Sequence, residues 1–358
     1  MAASKGSVLV AMSGGVDSSV SACLLAEQGY EVLGSHMKLV HLDGVDHGCC
    51  GPRAESDARE VARIGGFDFE VVDMSEEFGR TVLADFFGEH EAGRTPNPCA
   101  RCNEQIKFGA FLSRADDLGF DFVATGHYVR KELVDDRWRL LRGLDRSKDQ
   151  SYMLYTVGQR ELSRSLFPVG GMTKAQTREH AERLGLPVAG KPDSQEVCFV
   201  PDADHARFLA QRRPALKRWG QMVDPAGNVL GRHDGTFRFT IGQRRGLGVS
   251  TGERHYVVDL EPLSNRVVVG PGDLLARRGL VADRAHWVAG GPPADGPFEA
   301  QARIRYRGTD APAVIEPRHD RVRVEFRSPQ RAVAPGQSVV FYRANELLGG
   351  ARIIEAIR

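Results

Sequence analysis

Residues 8–19 read VLVAMSGGVDSS. The stretch SVLVAM (7–12) is a short apolar run of the kind that forms a buried parallel strand. VSACLLAEQ (20–28) has helical spacing, and Gly29 is a natural stop. Between strand and helix lie Ser13, Gly14, Gly15, Val16, Asp17, Ser18 and Ser19. Two glycines permit a tight turn whose backbone N–H groups point at an anion. The helix N-terminus adds partial positive charge, and the serines add hydroxyl donors. The loop therefore suits a phosphate or pyrophosphate. It is not GxxxxGK[ST], because it has no lysine, and it is not GxGxxG.

Working outward, the alternation continues. EVLGSHM (31–37) reads as a second strand, ESDAREVARI (55–64) as a helix and FDFEVVD (67–73) as a third strand. Helices are expected over 76–91, capped by Ser75, and over 103–118; FDFVATGHY (120–128) reads as a strand entering a loop. This pattern predicts an α/β doubly wound parallel sheet. WRLLRGLDRSKDQSYMLYTV (138–157) starts as a strand and ends as a helix, and KAQTREHAERLGLP (174–187) is a helix. Composition changes near residue 212, and short alternating runs follow: TFRFTIGQ, HYVVDLEP and NRVVVGPG. ARIRYRG, RVRVEFRS, QSVVFYRA and ARIIEAIR near the end predict a small antiparallel β-barrel or sandwich. The expected division is 1–208, a small central domain at 209–273, and a barrel at 274–358.

The chain has 358 residues, with 48 Lys plus Arg against 47 Asp plus Glu. That balance neither predicts nor excludes a nucleic-acid partner, since a basic patch can hide in a neutral total. No signal peptide and no membrane span is legible, so a soluble cytoplasmic protein is expected. Six cysteines are present. Cys23 sits among apolar neighbours and reads as a core residue. Cys99 and Cys102, in NPCARCNEQ (97–105), lie at a helix start, where thiol pKa values fall. Cys198 lies in an apolar, strand-like run, KPDSQEVCFV (191–200). A zinc site lacks a second C-x-x-C, and a thioredoxin-like pair expects another setting. Sulfur transfer involving Cys198 is the third reading.

SGGVDSS resembles the loop of the ATP pyrophosphatases. AMSGGVDSS, AGRTPNPCARCNEQIKF, ATGHYVR, LLRGLDRSKDQSYMLYT, LFPVG, KPDSQEVCFV, TIGQRRGLG, RIRYRG and PGQSVVFY occur in the order found in tRNA-specific 2-thiouridylases. The resemblance covers nearly the whole chain. It implies a tRNA partner with Lys, Glu or Gln anticodons and a protein that donates persulfide sulfur. ATP would adenylate O2 of the wobble uracil. Cys198 would carry the persulfide, and Cys102 would assist release or form a disulfide with it. Ala11, Met12, Ser13, Gly14, Gly15, Val16, Asp17, Ser18, Met37 and Gly126 would bind ATP, with Asp17 holding Mg²⁺. Asn97, Pro98, Cys99, His127, Lys148, Asp149, Gln150, Arg305, Tyr306 and Gln337 would meet the tRNA.

Many family members carry Asp where this chain has Cys99. The extra thiol makes a set, Cys99, Cys102 and Cys198, that could hold a [4Fe–4S] cluster as an alternative to the persulfide route. Cys49 and Cys50, in DHGCCGPR, read as a loop accident, a regulatory pair or extra ligands. RRPALKRW (212–219) and GQRRGLG (242–248) supply positive charge, and with Trp219 they could track phosphates. Competing readings are another PP-loop ATP pyrophosphatase, a non-catalytic RNA-binding protein with a degenerate loop, and a metal-dependent thiol oxidoreductase.

Overall fold

The computed structural model describes residues 5–40, 51–193, 197–200, 204–249 and 254–358. Cys49 and Cys50 lie outside the described residues.

Strands β1 (Ser7–Ala11), β2 (Glu31–Lys38), β3 (Asp68–Asp73), β4 (Phe122–Ala124) and β7 (Ser165–Leu166) form a parallel sheet in the order β3-β2-β1-β4-β7. Both faces of β1 are covered. Leu9 and Ala11 pack into one apolar cluster, while Val8, Val10 and Met12 pack into another on the opposite face. Full burial of such side chains stabilises by roughly 1.5–3 kcal/mol each, and it explains why this strand has no polar alternation. Helices α1 (Val16–Glu27), α2 (Pro52–Gly65) and Lys174–Arg183 are grouped beside the Val8 face. The chain from Ser75 to Glu91 and from Pro98 to Asp117 covers the Leu9 face.

Both of those covering helices differ from expectation. The first begins at Ser75, preceded by Met74, and Ser75 is not a cap; its N–H is instead taken by Asp73 Oδ1. The second begins earlier, at Pro98, with Asn97 as its N-cap. Each contains a π-helical stretch, Gly79–Leu83 and Asn103–Ala110. Such stretches are rare and concentrate at functional sites. Of FDFVATGHY only Phe122–Ala124 is strand, and the helical end of the 138–157 segment is a short 3₁₀ turn, Ser151–Leu154.

A four-stranded sheet follows: β8 (Gly220–Val223), β9 (Val229–His233), β10 (Tyr256–Glu261) and β11 (Arg266–Gly270), ordered β10-β11-β8-β9. The start of TFRFTIGQ is a 3₁₀ turn rather than a strand. The last unit contains β12 (Ala276–Trp287), β13 (Phe298–Arg303), β14 (Ala311–Arg318), β15 (Arg321–Arg331), β16 (Ser338–Arg343) and β17 (Glu346–Ile357). These close into an antiparallel barrel through β12–β17 pairing. The hairpin β5 (Val129–Val134) and β6 (Arg137–Arg142) leaves the first sheet and adds to β17. It ties the barrel to the loop that follows β4.

Candidate active site

The loop after β1 is built from short-range bonds. Ser18 Oγ accepts from Ser13 N at 3.1 Å and donates to Gly15 O at 3.2 Å. Gly14 has φ +69°, and a Cβ there would fall 2.2 Å from the Ala54 carbonyl oxygen of α2. Only glycine fits such a position. Gly126 presses against the first turn of α1, where a Cβ would lie 2.6 Å from Ser18 N. So the ATGHY segment and the glycine loop are in backbone contact. Met37 is partly buried at the C-terminal end of β2.

Around this loop stands a charge network that the sequence did not announce. Asp17 Oδ1 accepts from Lys174 Nζ at 2.7 Å and from the Tyr128 hydroxyl at 2.8 Å. Lys174 also pairs with Asp193 at 2.8 Å, as does Lys148 at 2.8 Å; Arg178 stands 3.2 Å from the same carboxylate. Burial works to raise the Asp193 carboxyl, but the hydrogen bonds from Lys148 and Lys174 outweigh it and hold it at about 2. Lys191 Nζ donates to the Gly14 carbonyl at 2.8 Å and pairs with Asp57. Lys148 thus joins, through Asp193 and Lys174, the ion network around the glycine loop. An Mg²⁺ on Asp17 fits the usual pattern of one carboxylate plus substrate phosphates, and it would compete there with Lys174.

The cysteines form the other end. Asn97 Oδ1 accepts from Ala100 N at 3.2 Å, capping the helix that presents Cys99 and Cys102. Cys102 is buried in the apolar cluster on the Leu9 face, and Cys198 packs against the same cluster. What fixes Cys198 is its neighbour: the Phe199 ring lies 5.4 Å from both Phe78 and Phe86 and 5.8 Å from Phe208. The segment is a turn, with Val200 N bonded to Val197 O, and not the expected strand. Cys99 lies within electrostatic reach of Cys198. Burial, then proximity to Cys198, pushes the Cys99 thiol up to about 11, against a lowering by Lys107. The expected helix-terminus depression is overridden by desolvation. None of the four described cysteines is in a disulfide. Among the described residues no group of three or more His, Cys, Asp or Glu is placed to hold a metal, so the three thiols do not fit a cluster in this arrangement.

Lys107 and His127 join the two ends. The π-helical stretch turns less per residue than an α-helix, which keeps Lys107 toward the face that carries Cys99. Its ammonium stands 3.4 Å from His127 Nε2. An ammonium only donates, so Nε2 accepts and the ring proton sits on Nδ1, facing Thr125 Oγ1 at 2.8 Å. Burial, then the Lys107 charge, drives His127 well below the usual histidine range, so it is neutral. No carboxylate among the described residues lies within ion-pair distance of Lys107.

The barrel closes over the NPC loop. Thr95 N donates to Pro335 O at 2.9 Å, and Gln337 Nε2 donates to Thr95 O at 2.9 Å and Pro96 O at 3.0 Å. Asn97 Nδ2 donates to Ser338 Oγ at 3.1 Å. Pro98 is buried at the first helical position. Tyr306 lies within electrostatic reach of Cys99, and its ring lies 6.2 Å from that of Tyr152. Arg305 is exposed, with its guanidinium bonded back to the Arg331 carbonyl at 3.2 Å. Asp149 is only 6 % exposed. Its carboxylate accepts from Gly143 N, Ser151 N and Ser151 Oγ, so it shapes the turn from within. Gln150 Oε1 accepts from Tyr128 N at 2.9 Å and holds the ATGHY strand end in place.

Comparisons with known proteins place the chain in a family. Residues 6–202 match the family model described as tRNA methyl transferase HUP domain. Residues 206–271 match its PRC-barrel domain, and 277–353 match the aminomethyltransferase beta-barrel domain. A tRNA-specific 2-thiouridylase of Carboxydothermus hydrogenoformans is 49 % identical over 97 % of this chain and 97 % of its own length. Those of Geobacter metallireducens and Acidothermus cellulolyticus are each 47 % identical over 98 % of this chain, covering 97 % and 98 % of their own lengths. The chain belongs to the tRNA-specific 2-thiouridylase family.

Proposed function

We propose that the protein is an ATP-dependent tRNA-uridine 2-sulfurtransferase acting on the wobble uridine of Lys, Glu and Gln tRNAs. The observation that carries this reading is that Cys102 and Cys198, from two remote segments, belong to one apolar cluster, with Cys99 within electrostatic reach of Cys198. A urea-like carbonyl oxygen is a poor leaving group, so activation precedes attack. The backbone and hydroxyls of residues 11–18, with Gly126 and Met37, would hold ATP. Lys148, Lys174 and Lys191 would neutralise the pyrophosphate that leaves, and Asp17 would hold Mg²⁺ beside it.

Once O2 carries AMP, the terminal sulfur of a Cys198 persulfide attacks C2 and AMP departs with the oxygen. The Cys102 thiolate then attacks Cys198 Sγ. The bond to the transferred sulfur breaks, leaving 2-thiouridine and a Cys102–Cys198 disulfide. An external thiol resets that disulfide, and a persulfide-carrying protein reloads Cys198. Flipping the base out costs little, because the anticodon loop is already single-stranded. Asn97, Pro98, Cys99, His127, Arg305 and Tyr306 would surround the base and its neighbours, while Asp149, Gln150 and Gln337 act by holding the turns in place.

The test is to incubate the protein with ATP, Mg²⁺, unmodified glutamate tRNA and a persulfide donor. AMP and a thiolated wobble base are expected in equal amounts. AMP without thiolation by the intact protein, or thiolation without ATP, would contradict the proposal.

A further inference from the structure

Trp219 is 80 % exposed, and Leu263 is fully exposed. A single exposed apolar side chain needs no explanation, but two large ones held on one small structure beside cations are a candidate contact. The two side chains belong to one small structure. Asn265 Nδ2 donates to Trp219 O at 2.8 Å and to Arg218 O at 2.9 Å, and Leu263 lies two residues before Asn265 on the same turn. Gly220 is jammed against this turn, since a Cβ there would lie 2.0 Å from Asn265 O. The backbone that presents Trp219 is therefore rigid, while its ring touches mainly solvent.

The charge around it is one-sided. Lys217, Arg218 and Arg266 are exposed, and among the described residues none lies within ion-pair distance of a carboxylate. The nearby Glu261 carboxylate is turned to the Ser264 hydroxyl at 2.7 Å. The patch also abuts the active-site approach: a Cβ on Gly93 would meet Pro262, the residue before Leu263, at 2.1 Å. Gly93 stands just ahead of the RTPNPC loop.

We propose that this patch is a second RNA contact of the enzyme, in which an unstacked base of the tRNA lies on Trp219 and the flanking phosphates lie on Lys217 and Arg218. The inference rests on the tRNA-thiolating reading above. A rigid aromatic face with unpaired cations beside it is the chemistry of single-stranded RNA binding. A purely apolar partner would leave three cations unmatched. The contact would help seat the substrate without touching the reacting atoms.

The test measures binding of unmodified tRNA to the full chain without ATP, by filter retention at matched salt concentrations. Trp219→Ala should weaken binding by about tenfold, whereas Trp219→Phe should keep most of it. Arg218→Ala should lower the slope of log affinity against log salt by about one. Thiolation at saturating tRNA should be unchanged in all three. Equal affinity of Trp219→Ala and the intact protein at the same salt overturns the proposal. So does a variant that binds tRNA normally but loses only the reaction driven by a protein sulfur donor, because the patch would then dock that protein. Failure of the intact protein to thiolate would instead overturn the functional reading and leave the binding result standing.

Discussion

The two ends of the active site are built by opposite means. At the glycine loop the turn itself is held by bonds that span few residues, Ser18 reaching Ser13 five positions away, and distant Lys174 and Lys191 brace it from outside. At the cysteine end they span most of the chain: Gln337 reaches Thr95, 242 positions away, and Asn97 reaches Ser338, 241 away. The loop can form as soon as β1 meets α1 and α2. The loop that carries the cysteines is bonded to the barrel through Thr95, Pro96 and Asn97. Long-range closure carries an entropy cost that local turns do not. One end is thus a locally shaped glycine turn, and the other is bonded to the distant barrel.

If that contrast is right, damage to each end should have a different signature. The largest effect is expected from Gly14→Ala. The new Cβ would meet the Ala54 carbonyl in a left-handed backbone, and a displaced loop should lower kcat/KM for ATP on the order of a hundredfold. Barrel docking and the thiols should be untouched, as seen by unchanged thermal unfolding of the barrel and unchanged thiol counts. Gly336→Ala attacks the other end. Its φ is +91°, and a Cβ would lie 2.7 Å from Thr95 O. Thiolation should fall by roughly tenfold or more while the KM for ATP stays within a factor of about two. If both variants raise the KM for ATP alike, the two ends are not separable.

A smaller effect is expected at the bridge between them. Lys107→Met removes the one cation that lowers the Cys99 thiol. Iodoacetamide labelling of Cys99 near pH 9 should slow by a few-fold, with Lys107→Arg close to the intact protein. The smallest is a pH effect. His127 is buried and neutral, with its folded pKa below that of the unfolded chain. The unfolded state therefore binds more protons as pH falls below about 6.5, and stability drops in that window. His127→Asn should flatten the loss between about pH 6.5 and 5 by roughly 1–2 kcal/mol in denaturant titrations.

What was legible in the sequence follows the same divide. SGGVDSS between a buried strand and a helix revealed the glycine turn because the bonds that shape it are local. The barrel and the parallel sheet followed from periodicity. The ion network was hidden, since Lys174 and Asp17 lie 157 positions apart and no local pattern couples them. The Cys198 turn read as a strand because VCFV is apolar; its shape is imposed by Phe78, Phe86 and Phe208 around Phe199. The helix start suggested an acidic Cys99, but burial reverses that. Asp149 and Gln337 read as RNA contacts on a polar turn and a barrel strand, yet their side chains bond inward to the protein. The π-helical stretch that orients Lys107 carries no signal in composition.

The central claim is that activation and sulfur delivery are separate acts performed by separate ends of one pocket. The most direct measurement uses Cys198→Ser with α-phosphate-labelled ATP and unmodified tRNA. Label should accumulate on the tRNA as the adenylated base, with no 2-thiouridine formed. Thiolation at the rate of the intact protein, or loss of adenylation together with thiolation in a normally folded variant, would contradict the claim.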